Sequence, residues 1–391
     1  MTQPREPSRR EFLGAAALGL LGIARGTTPV AVRGEVPVDD ELLYVGTYTD
    51  ANRSDGIYVL RMDGRSGQLR SVGSVDAGAN PSFLAIHPNT RLLYAVNEVE
   101  RGTVNAFAIA ADPGALTRLN AEPSEGMAPC FVSVDRSGRV VLVANYDGGS
   151  VVLLPLETDG RLAPATSVVK HSGSGPVAAR QRQPHAHCIV PDPTNRCALA
   201  ADLGADRVFV YRLDPDGKSL IPVAGGAAVM RAGAGPRHLA FHPTRPYVFV
   251  ANELDSTVAT LRFDAAGGAL ALLETRSTLP AGWTGTNYPA DIQVAPSGRT
   301  LYVSNRGHNS IAVFAVAEST GALSLAQTIS TDGDWPRNFT VDPTGRWLLV
   351  ANQKSNSIVV FGRDEKSGAL TPTPQRIAVP SPVCLRFRNP S

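Results

Sequence analysis

Aromatic side chains are scarce, with Phe, Tyr and Trp making up only 6% of the 391 residues. Charge is sparse as well, at 18%, and 37 Lys and Arg against 35 Asp and Glu leave a formal charge of +2. That balance offers no electrostatic footprint for nucleic acid, which would need a clustered basic surface, and it excludes a charge-driven disordered tail. The four cysteines, Cys130, Cys188, Cys197 and Cys384, show no Cys-x-x-Cys spacing, so no cysteine-based metal site is readable. A chain of this length can build its core without disulfide staples, and the four are expected as free, buried residues. The apolar run from Phe12 to Ala24 falls short of the ~20 residues that span a bilayer, and no later run reaches that length. A soluble protein with no membrane span is expected. Turn formers, by contrast, are plentiful: 37 Gly and 30 Pro. With few aromatics, they favour many short strands and an all-β fold.

The N-terminus reads Ser8-Arg9-Arg10-Glu11-Phe12-Leu13-Gly14, followed by small apolar residues to Ala24. An arginine pair before a short apolar stretch resembles a twin-arginine export signal. Residues 1–30 are therefore expected to be an address read by the twin-arginine machinery, 31–40 a linker, and 41–391 the folded domain. The expected location is the periplasm or the exterior.

Self-similarity decides the architecture. A strand-like segment ending in Ala-Asn or a relative recurs at Leu43–Thr47, Tyr94–Asn97, Leu142–Asn145, Leu199–Asp202, Phe249–Asn252, Tyr302–Asn305 and Leu349–Asn352. The spacing of about fifty residues is that of propeller blades rather than of ankyrin or leucine-rich repeats. Around each copy lie a Pro-led alternating run, a polar turn, a third alternating run, and a Ser/Thr-Gly-Ala-Leu turn leading to a weaker fourth run. Four period-2 segments per repeat describe a β-propeller blade. The first copy lacks its Pro-led strand, and Ser381–Phe387 at the other end looks like the missing piece. The expectation is one seven-bladed propeller, closed by the C-terminal strand completing the first blade.

The repeat register selects a site. First and second strands of a blade are antiparallel, so the start of one and the end of the other open at the same mouth. The residues just after the Asn position are Tyr48, Glu98, Tyr146, Leu203, Glu253, Arg306 and Gln353. Those fifteen before the Asn position are Ser82, Cys130, His187, Arg237, Ala290 and Arg337. His187, Arg237, Arg337, Glu98, Glu253 and Arg306 thus gather around one opening, more charge than a structural ring requires. His185 and His187 are spaced for zinc, but a strand turns alternate residues to opposite faces and no third ligand is in register, so no metal is expected. Two insertions, His171–Gln183 and Pro280–Tyr288, would project over the same mouth, where lengthened loops commonly carry specificity.

On these motifs the chain resembles the seven-bladed propeller lactonases of the 6-phosphogluconolactonase type, which are related to the fungal carboxy-cis,cis-muconate cyclases. The resemblance covers residues 41–387. It rests on Tyr44–Tyr48, Pro184-His185-Ala186-His187, Gly235-Pro236-Arg237-His238, Val250-Ala251-Asn252-Glu253, Ser304-Asn305-Arg306-Gly307 and the Gly-Ala-Leu turns. It implies the opening of a cyclic ester without a cofactor, with His187, Arg237, Glu253 and Arg306 as catalytic residues. Glu253 would be the general base and His187 its acid partner, or the two roles reversed. The arginines would hold an anionic group and the oxyanion. His185, Glu98, Arg337, Tyr48 and Tyr146 would contact substrate. A phosphorylated sugar lactone sits poorly with export. A cycloisomerase using the same residues and a non-catalytic propeller scaffold are the alternatives.

Overall fold

The computed structural model describes residues 40–49, 54–214, 216 and 219–389. The expected signal at 1–30 and all but the last residue of the 31–40 linker lie outside these residues. Twenty-eight strands form seven four-stranded antiparallel sheets, with no helix among the described residues. The expected propeller is therefore what the chain forms. In blade 1 the strand Glu41–Thr47 pairs with Pro382–Phe387 in the innermost position, in the register Leu43 to Phe387 and Val45 to Leu385. The last strand thus closes the ring by completing the first blade.

Burial follows position within the blade. The second strands, such as Leu92–Asn97, Val140–Asn145 and Tyr247–Asn252, are buried along their whole length. A neighbouring blade covers each face, which is why these segments read as continuous apolar runs rather than alternating ones. The outermost strands, such as Ala269–Ser277 and Leu370–Ala378, are largely exposed on one side or both. They accordingly carry the weakest pattern.

The repeated small motifs turn out to be joints between blades. Tyr44, Tyr94 and Tyr302 donate their hydroxyls to the carbonyls of Gly114, Gly160 and Gly368 in the next blade, at 2.8, 3.0 and 2.7 Å. These glycines sit in the third-to-fourth-strand turns at φ of +86°, +87° and +73°, a conformation that glycine reaches without a Cβ penalty. The repeated Asn is equally structural. Asn145, Asn305 and Asn352 donate Nδ2 to the carbonyls of Ser124, Thr278 and Thr331, at 2.8, 2.9 and 3.1 Å. Each thereby ties its strand end to the segment arriving from the preceding blade. The four cysteines are unpaired and buried.

Candidate active site

The mouth residues owe their direction to a defect in strand pairing. In blade 4, Ala186 pairs with Asp202 and Cys188 with Ala201, leaving His187 as an extra residue. Arg237 in blade 5, Arg337 in blade 7 and Cys130 in blade 3 are extra residues of the same kind. A β-bulge breaks the alternation of faces locally and re-aims a side chain. The backbone ties the two register classes together. Glu253 N donates to Gly235 O at 2.7 Å, Tyr146 N to Ala128 O at 2.9 Å, and Gln353 N to Trp335 O at 3.0 Å. Each acceptor lies two residues before a bulge, and Ala128, Gly235 and Trp335 all have positive φ.

Glu253 is the hub. Its Oε2 accepts from Arg306 Nη2 at 2.7 Å and lies 3.0 Å from Arg237 Nε, while Oε1 accepts from Arg180 Nη2 at 2.6 Å. The Arg237 N–H points out of line with Oε2, so that contact is an ion pair, and the Nε donor finds no acceptor among the described residues. Burial would raise the Glu253 carboxyl, but the cations Arg306, Arg237 and Arg180 together hold it well below the usual carboxylate range. Burial, opposed by Glu253 and reinforced by the cations Arg237 and Arg337, brings Arg306 down to about 9, still a cation at neutral pH. His187 is 5% exposed. Burial and then the charge of Arg237 push its imidazole well below the ordinary value, so it is neutral at pH 7.

A second cluster shares the mouth. Arg337 Nη2 donates to Tyr48 Oη at 2.6 Å, and Tyr48 Oη donates to Glu98 Oε2 at 2.9 Å. Arg337 also stacks over the Tyr48 ring, 5.1 Å from its centroid. The clusters feel one another across the opening, since Glu253 favours the charged form of Arg337. Tyr48 and Glu98, with Met127, Asp147 and Gln183, line a cavity of about 680 Å³. Tyr146 Oη accepts from Arg180 at 3.0 Å, and its ring lies against both flagged histidines: stacked on His185 at 4.4 Å and edge-on to His187 at 5.3 Å. His185 is thus a buttress for Tyr146, with its Nδ1 3.0 Å from the Tyr146 carbonyl oxygen. Among the described residues, no group of three or more His, Cys, Asp or Glu is placed to hold a metal ion.

The floor is a relay that fixes Arg237. Its Nη1 donates to Ala290 O at 2.6 Å and to His238 Nε2 at 3.2 Å. His238 Nδ1 then donates to Asp291 Oδ1 at 2.9 Å, and Asp291 Oδ2 accepts from Asn338 Nδ2 at 2.7 Å. Phe83 and Phe131 stack at 4.3 Å and present their edges to His238.

All nine residues selected from the sequence lie in or directly behind this one mouth. Arg180 was missed. The signal for it was present, because it lies in the His171–Gln183 insertion and because Asp202 replaces Asn in that blade alone. Asp202 Oδ2 accepts from His171 Nδ1 at 2.6 Å, and Tyr211 Oη lies 2.7 Å from His171 Nε2. This buried Tyr211–His171–Asp202 chain pins the start of the insertion. His238 and Asp291 were missed because neither falls on a register position.

The chain belongs to the seven-bladed β-propeller lactonase family, which it matches over residues 42–387. It is 37% identical over 345 residues to the 6-phosphogluconolactonase of Bacillus subtilis, covering 88% of this chain and 97% of that one. The 6-phosphogluconolactonase of Yersinia pestis is 34% identical over 278 residues, 71% of this chain and 78% of that one. The solved structure of the periplasmic gluconolactonase of Pseudomonas aeruginosa superposes with a TM-score of 0.85 at 36% identity, covering 89% of this chain and 99% of that one.

Proposed function

We propose that the protein is a lactonase that hydrolyses a sugar-acid lactone, with His187 as the proton-transfer residue and Glu253 as its charged partner. One observation carries the assignment of roles. Both oxygens of Glu253 are engaged by guanidiniums, whereas the neighbouring imidazole is neutral. A carboxylate so compensated is a weak base, and a buried neutral imidazole is in the form that accepts a proton. His187 Nδ1 lies 3.6 Å from the sulfur of Cys130, whose thiol stays protonated by burial and donates to the His187 carbonyl oxygen at 3.5 Å. Nδ1–H then donates to the sulfur, and Nε2 is left as the proton acceptor.

The chemistry follows from these charges. Arg237 and Arg306 polarise the lactone carbonyl and stabilise the oxyanion that forms as water attacks. His187 takes the proton of that water, and the Glu253 charge favours the resulting imidazolium. The imidazolium then protonates the leaving ring oxygen, which restores neutral His187 and yields the hydroxy acid. At the hub three guanidiniums, Arg180, Arg237 and Arg306, face the single carboxylate of Glu253. That excess favours a lactone bearing an acidic group. The charged mouth speaks against a scaffold role. The names of the Bacillus and Yersinia relatives support a gluconolactone skeleton. The Arg9-Arg10 motif and the periplasmic relative support action outside the cytosol.

Turnover in oxygen-18 water tests the reaction type. Hydrolysis places one solvent oxygen in the new carboxylate of opened gluconolactone, at a rate above the spontaneous one. A product free of label would make the protein an isomerase.

A further inference from the structure

The three guanidiniums on Glu253 are not equivalent. Arg237 and Arg306 sit on the innermost and second strands of blades 5 and 6, with side chains 2% and 5% exposed, and both address Oε2. Arg180 comes from the inserted segment, keeps 35% of its side chain exposed, and alone addresses Oε1. The segment does not depend on Arg180 for its place. Gln181, fully buried, donates Nε2 to Leu203 O at 2.8 Å and to Asp206 Oδ1 at 2.7 Å, and its Oε1 accepts from Val177 N at 3.1 Å. Asp206 in turn accepts from Gly233 N and Gly235 N at 2.7 and 2.8 Å, just before the Arg237 bulge. His171 holds the other end. Arg180 is therefore a half-exposed cation on a rigid mount, and it can change partner without loosening the loop.

We propose that Arg180 is an exchangeable counter-ion: an acidic substituent on the incoming lactone draws it off Glu253, so this residue sets a preference for acid-bearing over neutral lactones. The proposal rests on the lactonase reading above. A guanidinium matches the paired oxygens of a phosphate or carboxylate. Its bond to Glu253 is partly exposed and screened, so the exchange costs little. Once Arg180 has turned to the substrate, Glu253 faces Arg237, Arg306, His187 and, across the mouth, Arg337. More of its charge is then available to the His187 imidazolium. Binding of the correct substrate thereby sharpens the proton-transfer residue.

The test compares kcat/KM for gluconolactone and for its 6-phosphate in the wild type, Arg180→Ala, Arg180→Lys and Arg182→Ala. Arg182 is the exposed neighbour on the same loop and controls for the general charge of the segment. The phosphorylated-to-neutral ratio is expected to fall about thirtyfold in Arg180→Ala, the loss of one charge-assisted contact. Arg180→Lys should recover part of the ratio, and Arg182→Ala should keep the wild-type value. A ratio in Arg180→Ala within about threefold of wild type, or an equal fall in Arg182→Ala, would overturn the proposal. Should the wild type open neither lactone, the lactonase reading fails separately. Calorimetry with inorganic phosphate then judges Arg180: weaker binding by Arg180→Ala upholds the anion seat, and equal binding removes it.

Discussion

Replacing Glu253 by glutamine keeps the shape of the side chain and removes one negative charge from among three guanidiniums. Arg306 Nη2 and Arg237 Nε lie 2.7 and 3.0 Å from Oε2, and both side chains are at most 5% exposed, so neither can turn to water. Arg180, at 35%, can. A unit-charge pair about 4 Å apart attracts by about 4 kcal/mol at an effective dielectric of about 20. The cost of having buried the carboxylate, several kcal/mol, offsets part of this, and removing one member of a buried pair costs about 3–5 kcal/mol net. The exposed Arg180 contact adds at most about 1 kcal/mol. Glu253→Gln is therefore expected to lose about 3–5 kcal/mol, a large share of the ~5–15 kcal/mol by which proteins are stable. Adding Arg306→Met should return about 1–3 kcal/mol, because one orphaned cation leaves with it. Urea unfolding at pH 7 reads this through tryptophan fluorescence, Trp335 lying 5.5 Å from the Arg306 guanidinium. In the same variant kcat should drop about a hundredfold as the arginine pair loses its alignment. A stability loss under about 1 kcal/mol, or a double variant no more stable than the single one, would refute the charge accounting.

His187→Ala should lower kcat by about 10²–10⁴ while leaving the protein folded, and turnover within about threefold of wild type would remove His187 from the chemistry. Because the imidazole titrates well below 6.5, kcat/KM for gluconolactone should stay flat as pH falls through about 6.5, with its acid limb lower still. An inflection at or above that value would contradict the assigned protonation state. Stability has the same sign. The unfolded chain binds protons at His187 below about 6.5 that the native state refuses, so its contribution is full above that pH and is lost as pH falls toward the native value. Glu253, also depressed, adds an acid loss below about 4.5 by the same linkage. Changing Arg9 and Arg10 to lysine should leave the protein in the cytoplasm of fractionated cells. Undiminished export would remove the twin-arginine reading.

Much of the site was legible because a propeller repeats. Equivalent positions share a direction, so a fixed offset from the Ala-Asn segment found His187, Arg237 and Arg337 without knowledge of any contact. The offset concealed its own cause. Strand alternation would turn His187 away from Ala186 and place it on one blade face, and only the bulge between Ala186 and Cys188 delivers it to the opening. A bulge carries no period-2 signature. Arg180 escaped for another reason. Its partner Glu253 is 73 residues away and its support comes from Gln181 and Asp206, pairings that no local pattern announces.

By itself the sequence determined the number of blades, the strand that closes the ring and the mouth at which charge collects. These depend on local alternation, on turns that only glycine accepts readily, and on the identity of repeated positions. The tertiary structure alone decided how those charges divide. Glu253 is compensated by Arg180, Arg237 and Arg306, Glu98 is paired through Tyr48 with Arg337, and His187 is left neutral. The reason is physical: the state of each group depends on its burial and on which charges other blades bring within a few ångströms, and the ring sets both only when it closes.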